Sequence, residues 1–161
     1  MKQSSSKPSA KKTILIIVWD GFVAGTLDAI AAIGLFLSAG GKHPVRVFQY
    51  IASGIFGKDA FLDGSAMIIW GIVFHFSIAL LFAAFFFLIH PQIRQVIGNL
   101  MAIGLLYGLL IWLVMNRIVL PLSNVSAQPV DPAQSLIGMV ILMVLVSLPI
   151  ALIVHKHYSK T

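Results

Sequence analysis

The chain reads as an all-α integral membrane protein: a four-helix bundle with one short extracytoplasmic amphipathic helix between the first two spans. Three observations predict this. Four apolar stretches, residues 13–38, 60–89, 93–120 and 133–155, each reach the about 20 residues that a helix needs to cross hydrocarbon. The composition is 59% apolar and 10% charged, against about 45–50% and about 25% in soluble domains. The Lys and Arg residues gather at the ends of the stretches, where basic side chains orient spans and meet anionic lipid.

Four spans with their short tails and connections use up nearly the whole length of 161 residues, so one membrane domain is expected, without room for a soluble enzyme domain. There is no cysteine, so disulfides and thiolate metal sites are excluded. The formal charge of +6 is spent at helix ends, so the expected partner is the lipid bilayer and not nucleic acid. With four spans, Lys2, Lys7, Lys11, Lys12, Arg94, Lys156 and Lys160 share one side, and Lys42, Arg46, Lys58 and Arg117 the other. The positive-inside rule then places both termini in the cytoplasm.

Residues 1–12 are Lys- and Ser-rich and read as a disordered basic tail. The apolar stretch after them is long and contains Asp20 and Asp28, so it reads as a retained first span rather than a signal peptide. Asp20, Ala24, Asp28 and Ala32 recur every four residues and share a face. Gly21 and Gly25 beside them form a GxxxG spacing that lets helix backbones approach closely in lipid. Residues 44–57 follow: Pro44 suits a first turn, and Val45, Phe48, Ile51, Ala52, Ile55 and Phe56 keep helical spacing with Arg46, Gln49 and Ser53 interleaved. Fourteen residues make about 21 Å of helix, too short to span. The segment reads as a surface or tucked amphipathic helix, with a re-entrant segment as the alternative, and Gly57 as its stop.

The second span starts around residues 59–63 with an Asp as candidate N-cap. It carries Gly71 and His75 on one side, a run of Phe at 82–87, and His90-Pro91 as its close. The third carries Gly104, Tyr107, Gly108, Trp112 and Asn116, and Pro121 ends it. Asp131-Pro132-Ala133-Gln134 reads as a helix start, and Pro149 as a kink in the fourth span. Residues 158–161 form a cytoplasmic tail.

Counting residues from the span ends puts Asp28, His75 and Tyr107 near mid-depth. A carboxyl or imidazole there is costly unless paired, and is a functional-site candidate by default. The three are therefore expected to meet in one layer, with Asp20, Asn116 and Gln49 as secondary polar positions. Gly21, Gly25, Gly71, Gly104 and Gly108 are the expected helix-packing positions. No metal is expected, since His75 has no second His at ligand spacing in its own helix, and no cofactor or catalytic motif is evident.

The landmarks also form an ordered set. They are Ala24-Gly25-x-x-Asp28, the run from Pro44 to Gly54, Gly57-Lys58-Asp59-Ala60, Gly71-x-x-x-His75-Phe76, Tyr107-Gly108, Met115-Asn116 and Pro121-Leu122-Ser123. Over about residues 20–124 the chain resembles a family of small, uncharacterised bacterial four-span inner-membrane proteins. Members often have paired glycines where this chain has Asp63-Gly64, which bears on where the second span starts. The resemblance implies fold and a bacterial plasma-membrane location and lends no catalytic residues. The expected function is a non-enzymatic structural or interaction protein, self-associating through its small-residue faces. The alternative is a small oligomeric transporter or binder of a small polar ligand or protons at the mid-membrane Asp/His/Tyr cluster.

Overall fold

The structure, a computed structural model, describes residues 10–62, 64–125 and 131–158. The basic tail before Ala10, Asp63 as a helix cap, and Lys160 lie outside the described residues. Those described form five helices and no strand: α1 (Ala10–Ser38), α2 (Arg46–Phe56), α3 (Gly64–Val96), α4 (Leu100–Leu122) and α5 (Pro132–Tyr158). All but α2 are long and apolar enough to cross a membrane. Ile14, Leu15, Leu81, Leu88 and Leu152 stand exposed on their outer faces. Such a surface suits acyl chains, because in lipid a helix satisfies its own backbone and can turn apolar side chains outward.

Small residues set the pairing. A Cβ on Gly21 would meet Leu80, and one on Gly25 would meet Phe76 and Ala79, so numbers rise along α1 as they fall along α3. Gly104 against Leu148 and Ala151, with Gly108 against Met143, gives the same antiparallel signature for α4 and α5. Ala10 and Tyr158 therefore lie at one end of the bundle, and α2 at the other.

Helix ends depart from the expected ones at several places. α1 begins at Ala10, so residues 10–12 are helical where a disordered tail is expected, and α5 runs on to Tyr158, past the expected end at 155. Residues 57–61 form a 3-10 turn, so α3 begins at Gly64. The expected close at His90-Pro91 does not occur, and α3 continues to Val96. Pro91 has no N–H for the Phe87 carbonyl, and the Tyr158 hydroxyl donates to that carbonyl instead, at 3.0 Å. The helix passes through the proline because a side chain from α5 satisfies the freed group. Tyr158→Phe removes this bond and keeps the ring. We expect it to lower stability by about 1 kcal/mol, read as a lower melting temperature in detergent micelles. Finally, the third span starts at Leu100 rather than Ile93: Asn99 caps it, its side chain accepting from the Met101 and Ala102 amides at 2.9 and 3.3 Å.

The other two helical prolines leave a different mark. Residues Met115–Val119 and Leu142–Val146 are π-helical. Each segment contains the residue four before a proline, Arg117 before Pro121 and Leu145 before Pro149. The proline ring clashes with that carbonyl, and the wider turn relieves the clash. The Ser147 hydroxyl donates to the Leu142 carbonyl at 2.9 Å, closing the second widened turn. α4 continues one residue past Pro121 to Leu122. The Asp131 start of α5 is as expected, with its carboxylate accepting from the Ala133 amide at 2.9 Å and Pro132 following.

The short helix α2 lies across α3. Phe48 near its start abuts Gly71 and the His75 ring, while Phe56 at its end meets Trp70 and Phe74. Both ends thus contact the same few turns, about 10–16 Å along α3 from Gly64. Its buried face is Gln49, Ala52 and Ser53. Gly57, at φ +61°, stops it in a conformation that side chains rarely adopt. Asn124, just past α4, holds the last turn: its amide donates to the Gly54 carbonyl at 2.9 Å and its side chain to the Ile55 carbonyl at 2.8 Å.

Candidate functional site

The polar stripe of α1 meets α3 through His75. The ring Nε2 lies 2.7 Å from the Gly25 carbonyl oxygen. A carbonyl only accepts, so Nε2 carries a proton and donates. This fixes the tautomer and leaves Nδ1 to face the Asp28 carboxyl, whose Oδ2 is 4.0 Å away. That separation is too long for a hydrogen bond. The pair lies close enough that a hydrogen-bonding group entering beside it can touch both. Phe48 and Phe76 stand edge-on to the imidazole, at centroid distances of 6.2 and 5.3 Å, and hold its plane. The two residues differ in cover: the His75 side chain is 9% exposed and that of Asp28 34%.

Beside the pair lies a cavity of about 300 Å³. All four long helices and α2 wall it: Ala24, Asp28 and Ala32 from α1, Phe48 and Tyr50 from α2, His75 and Phe82 from α3, Ile111 and Met115 from α4, and Leu142, Val146 and Ile150 from α5. The walls are mostly apolar, and Asp28, His75 and Tyr50 supply the polar side chains. Both widened helical turns contribute, through Met115 in one and Leu142 and Val146 in the other. Such turns often accompany functional sites, and here they move side chains away from straight-helix positions at the cavity wall.

The expected three-residue layer is divided. Asp28 and His75 come together; Tyr107 does not join them. Its hydroxyl donates to the Phe82 carbonyl at 2.6 Å, and its ring packs on Phe86 at 4.6 Å. The reason is depth. Because α4 starts at Leu100, Tyr107 is only seven residues along it, about 10 Å. Counting from Ile93 placed it twice as deep. Tyr107 shares that lower layer with Asp20. Asp20 is fully buried, and neither of its carboxyl oxygens has a hydrogen-bond partner.

The secondary positions scatter. Asn116 donates to the Trp112 carbonyl of its own helix at 2.9 Å. Gln49 is buried on α2 next to Phe48. Gly21, Gly25, Gly71, Gly104 and Gly108 are all buried against neighbours within the chain. Among the described residues, no three His, Asp, Glu or Cys side chains gather as a metal site. Sequence reasoning missed Tyr50 as a cavity wall and Asn124 as the clasp of α2. A polar residue directly after a proline-terminated span was the available signal for the latter. No protein-family model, curated protein or solved structure matches the chain.

Proposed function

We propose that this is a multi-pass membrane protein that binds a small, largely apolar molecule bearing a basic or hydrogen-bonding head. The body of the ligand fills the cavity and its head meets Asp28 and His75. The observation that carries this reading is the cavity of about 300 Å³ beside that pair. It is the size of a small-ligand site, apolar with a few convergent polar groups. A pair kept only to tie helices together gains nothing from empty volume next to it, since an unfilled cavity forfeits packing.

Proton bookkeeping favours a basic head. The Nε2 proton of His75 is committed to Gly25. One further proton makes Asp28 and His75 neutral as a pair, on the carboxyl or on Nδ1. An ammonium at Asp28 replaces that proton: the carboxylate pairs with the ligand, His75 stays neutral, and the net charge in the membrane remains zero. We place the protein in a bacterial inner membrane, as its resemblance to small bacterial four-span proteins implies, with both termini cytoplasmic on the seven-to-four basic bias. A structural reading stands second, favoured by the 2.7 Å bond from His75 to Gly25 that joins α1 and α3.

Three probes on one apolar body separate these readings: 1-aminoadamantane, 1-adamantanol and adamantane-1-carboxylate, titrated calorimetrically into the detergent-solubilised protein. The amine should bind best and the carboxylate worst. Asp28→Asn should weaken the amine by about 2 kcal/mol, roughly thirtyfold, and leave the alcohol nearly unchanged. Failure of all three to bind, or equal amine binding in the variant, leaves only the structural reading.

A further inference from the structure

A second cavity, of about 320 Å³, sits at the opposite end of the bundle from α2, where α3 and α5 finish. His90, Pro91, Arg94, Gln95, His155 and Tyr158 line it. We propose that it holds a phosphate group, carried by an anionic lipid headgroup or free in solution.

The first support is an unmet imidazole. His90 is 2% exposed. Its ring is fixed between Phe86, at 5.6 Å, and Tyr158, stacked at 5.1 Å and 15°. Neither of its ring nitrogens has a hydrogen-bond partner, and nor has Nδ1 of His155, whose ring centroid is 5.7 Å away. A buried imidazole always carries at least one N–H, and leaving it unmet costs stability. The His90 ring lines the cavity with an N–H that has no acceptor, and the unmet Nδ1 of His155 lies beside it.

The second support is charge. Arg94 lines the same cavity, and its guanidinium donates to the Gly98 carbonyl beyond the end of α3. That contact holds the group in place while other N–H donors of its fork remain. Among the described residues no carboxylate lines the cavity, so a metal ion there would face an arginine with no anionic ligand from them. An oxyanion would face a fixed cation and the His90 N–H, a set that suits phosphate. Position agrees with this. Arg94 is two residues from the end of α3, and Tyr158 is the last residue of α5. Basic pockets between spans at that level are where lipid headgroups bind. Lys11 and Lys12, exposed in the first turn of α1 at the same end of the bundle, add to the positive field.

The test is phosphorus NMR on the full chain in dodecyl maltoside, with phosphatidylglycerol in one arm and inorganic phosphate in the other. The protein should shift and broaden at least one of these signals. His90→Phe keeps a ring of similar size between Phe86 and Tyr158, and Arg94→Gln removes the charge; each should weaken binding by about tenfold or more. Arg94→Lys should retain part of it. Binding of phosphatidylglycerol that inorganic phosphate does not displace identifies a headgroup site. Displacement identifies a site for free phosphate. Circular dichroism checks that each variant is folded, and if one is not, the other decides. The proposal fails if neither probe binds the wild type, or if a folded variant binds as the wild type does.

Discussion

Gly108→Ala should force α4 and α5 apart. A Cβ built at Gly108 lies 2.4 Å from the Met143 Cα and 2.8 Å from both the Leu142 carbonyl oxygen and the Met143 nitrogen. These are backbone atoms, so no rotamer change relieves the clash, and the helices must separate. The loss then spreads to the core side chains Ile103, Ile111, Val146 and Ile150. Overpacking of this kind costs about 1–3 kcal/mol, and the upper end is expected here because the obstacle is main chain. Gly71→Ala should act the same way on α2, since its Cβ would lie 2.0 Å from the Phe48 carbonyl oxygen. That variant should expose the tryptic sites at Arg46 and Lys58 on either side of the dislodged helix, while the four long helices stay folded. Gly34→Ala is the control: nothing lies within 4 Å of its Cβ, and alanine is the better helix former. Thermal melting in detergent reads the first effect and limited proteolysis the second. A Gly108→Ala protein that melts with the wild type would mean that the α4–α5 contact is looser than described.

The same geometry bears on assembly. The glycines that suggested a self-associating face are buried inside one chain, Gly21 on Leu80 and Gly25 on Phe76 and Ala79 among them. The GxxxG spacing marks close helix approach, and a sequence cannot say whether the partner helix is its own or another copy's. Residues Gly34 and Gly138, with nothing near their Cβ positions, are small positions still open on the surface.

Fold class was legible because it depends on length and mean polarity, and 20-residue apolar runs have few alternatives. Helix ends were legible where the signal is local. Asp131-Pro132 and Gly57 act within a turn of themselves, and the structure uses both as the sequence suggests. The close at Pro91 was misread because what rescues the helix there is Tyr158, 71 residues away. Asn99 carried a local cap signal, and overlooking it carried Tyr107 to the wrong depth. Asp28 and His75 could be matched by depth alone, although helix rotation was open; the rotation is set by Gly25, whose missing side chain lets Phe76 and Ala79 pack in and whose carbonyl accepts a hydrogen bond from His75 Nε2. The cavity was not legible. It depends on two widened turns induced by Pro121 and Pro149 and on a short helix that crosses α3 rather than floating at the surface. A sequence shows the prolines but not the direction in which a helix relaxes around them.

Asp20→Ala should stabilise the protein. The side chain is fully buried, and both of its carboxyl oxygens lack partners. Leaving a buried polar group unmet costs about 1–3 kcal/mol, in whichever protonation state it sits. Alanine removes those oxygens and opens only a small void, so most of that cost is recovered. For a chain of 161 residues, the melting temperature should rise by about 2–12 °C. Asp28→Ala is the informative comparison: its carboxyl has the His75 ring beside it, 4.0 Å away, so removing it takes away a neighbour of His75 and should give no comparable gain. A residue that weakens the fold where an alanine would strengthen it points to a role other than packing. Asp20 lies two turns from Asp28 on the same face of α1, beside the Tyr107 layer, so it extends the polar stripe toward the end of the bundle where His90 sits. If Asp20→Ala instead melts lower, the carboxyl has a partner in solution. An ordered water between it and Tyr107 would then make the lower layer a hydrogen-bonded network rather than an unmet carboxyl, and Tyr107→Phe in the same background should cost only its own bond to the Phe82 carbonyl, about 1 kcal/mol.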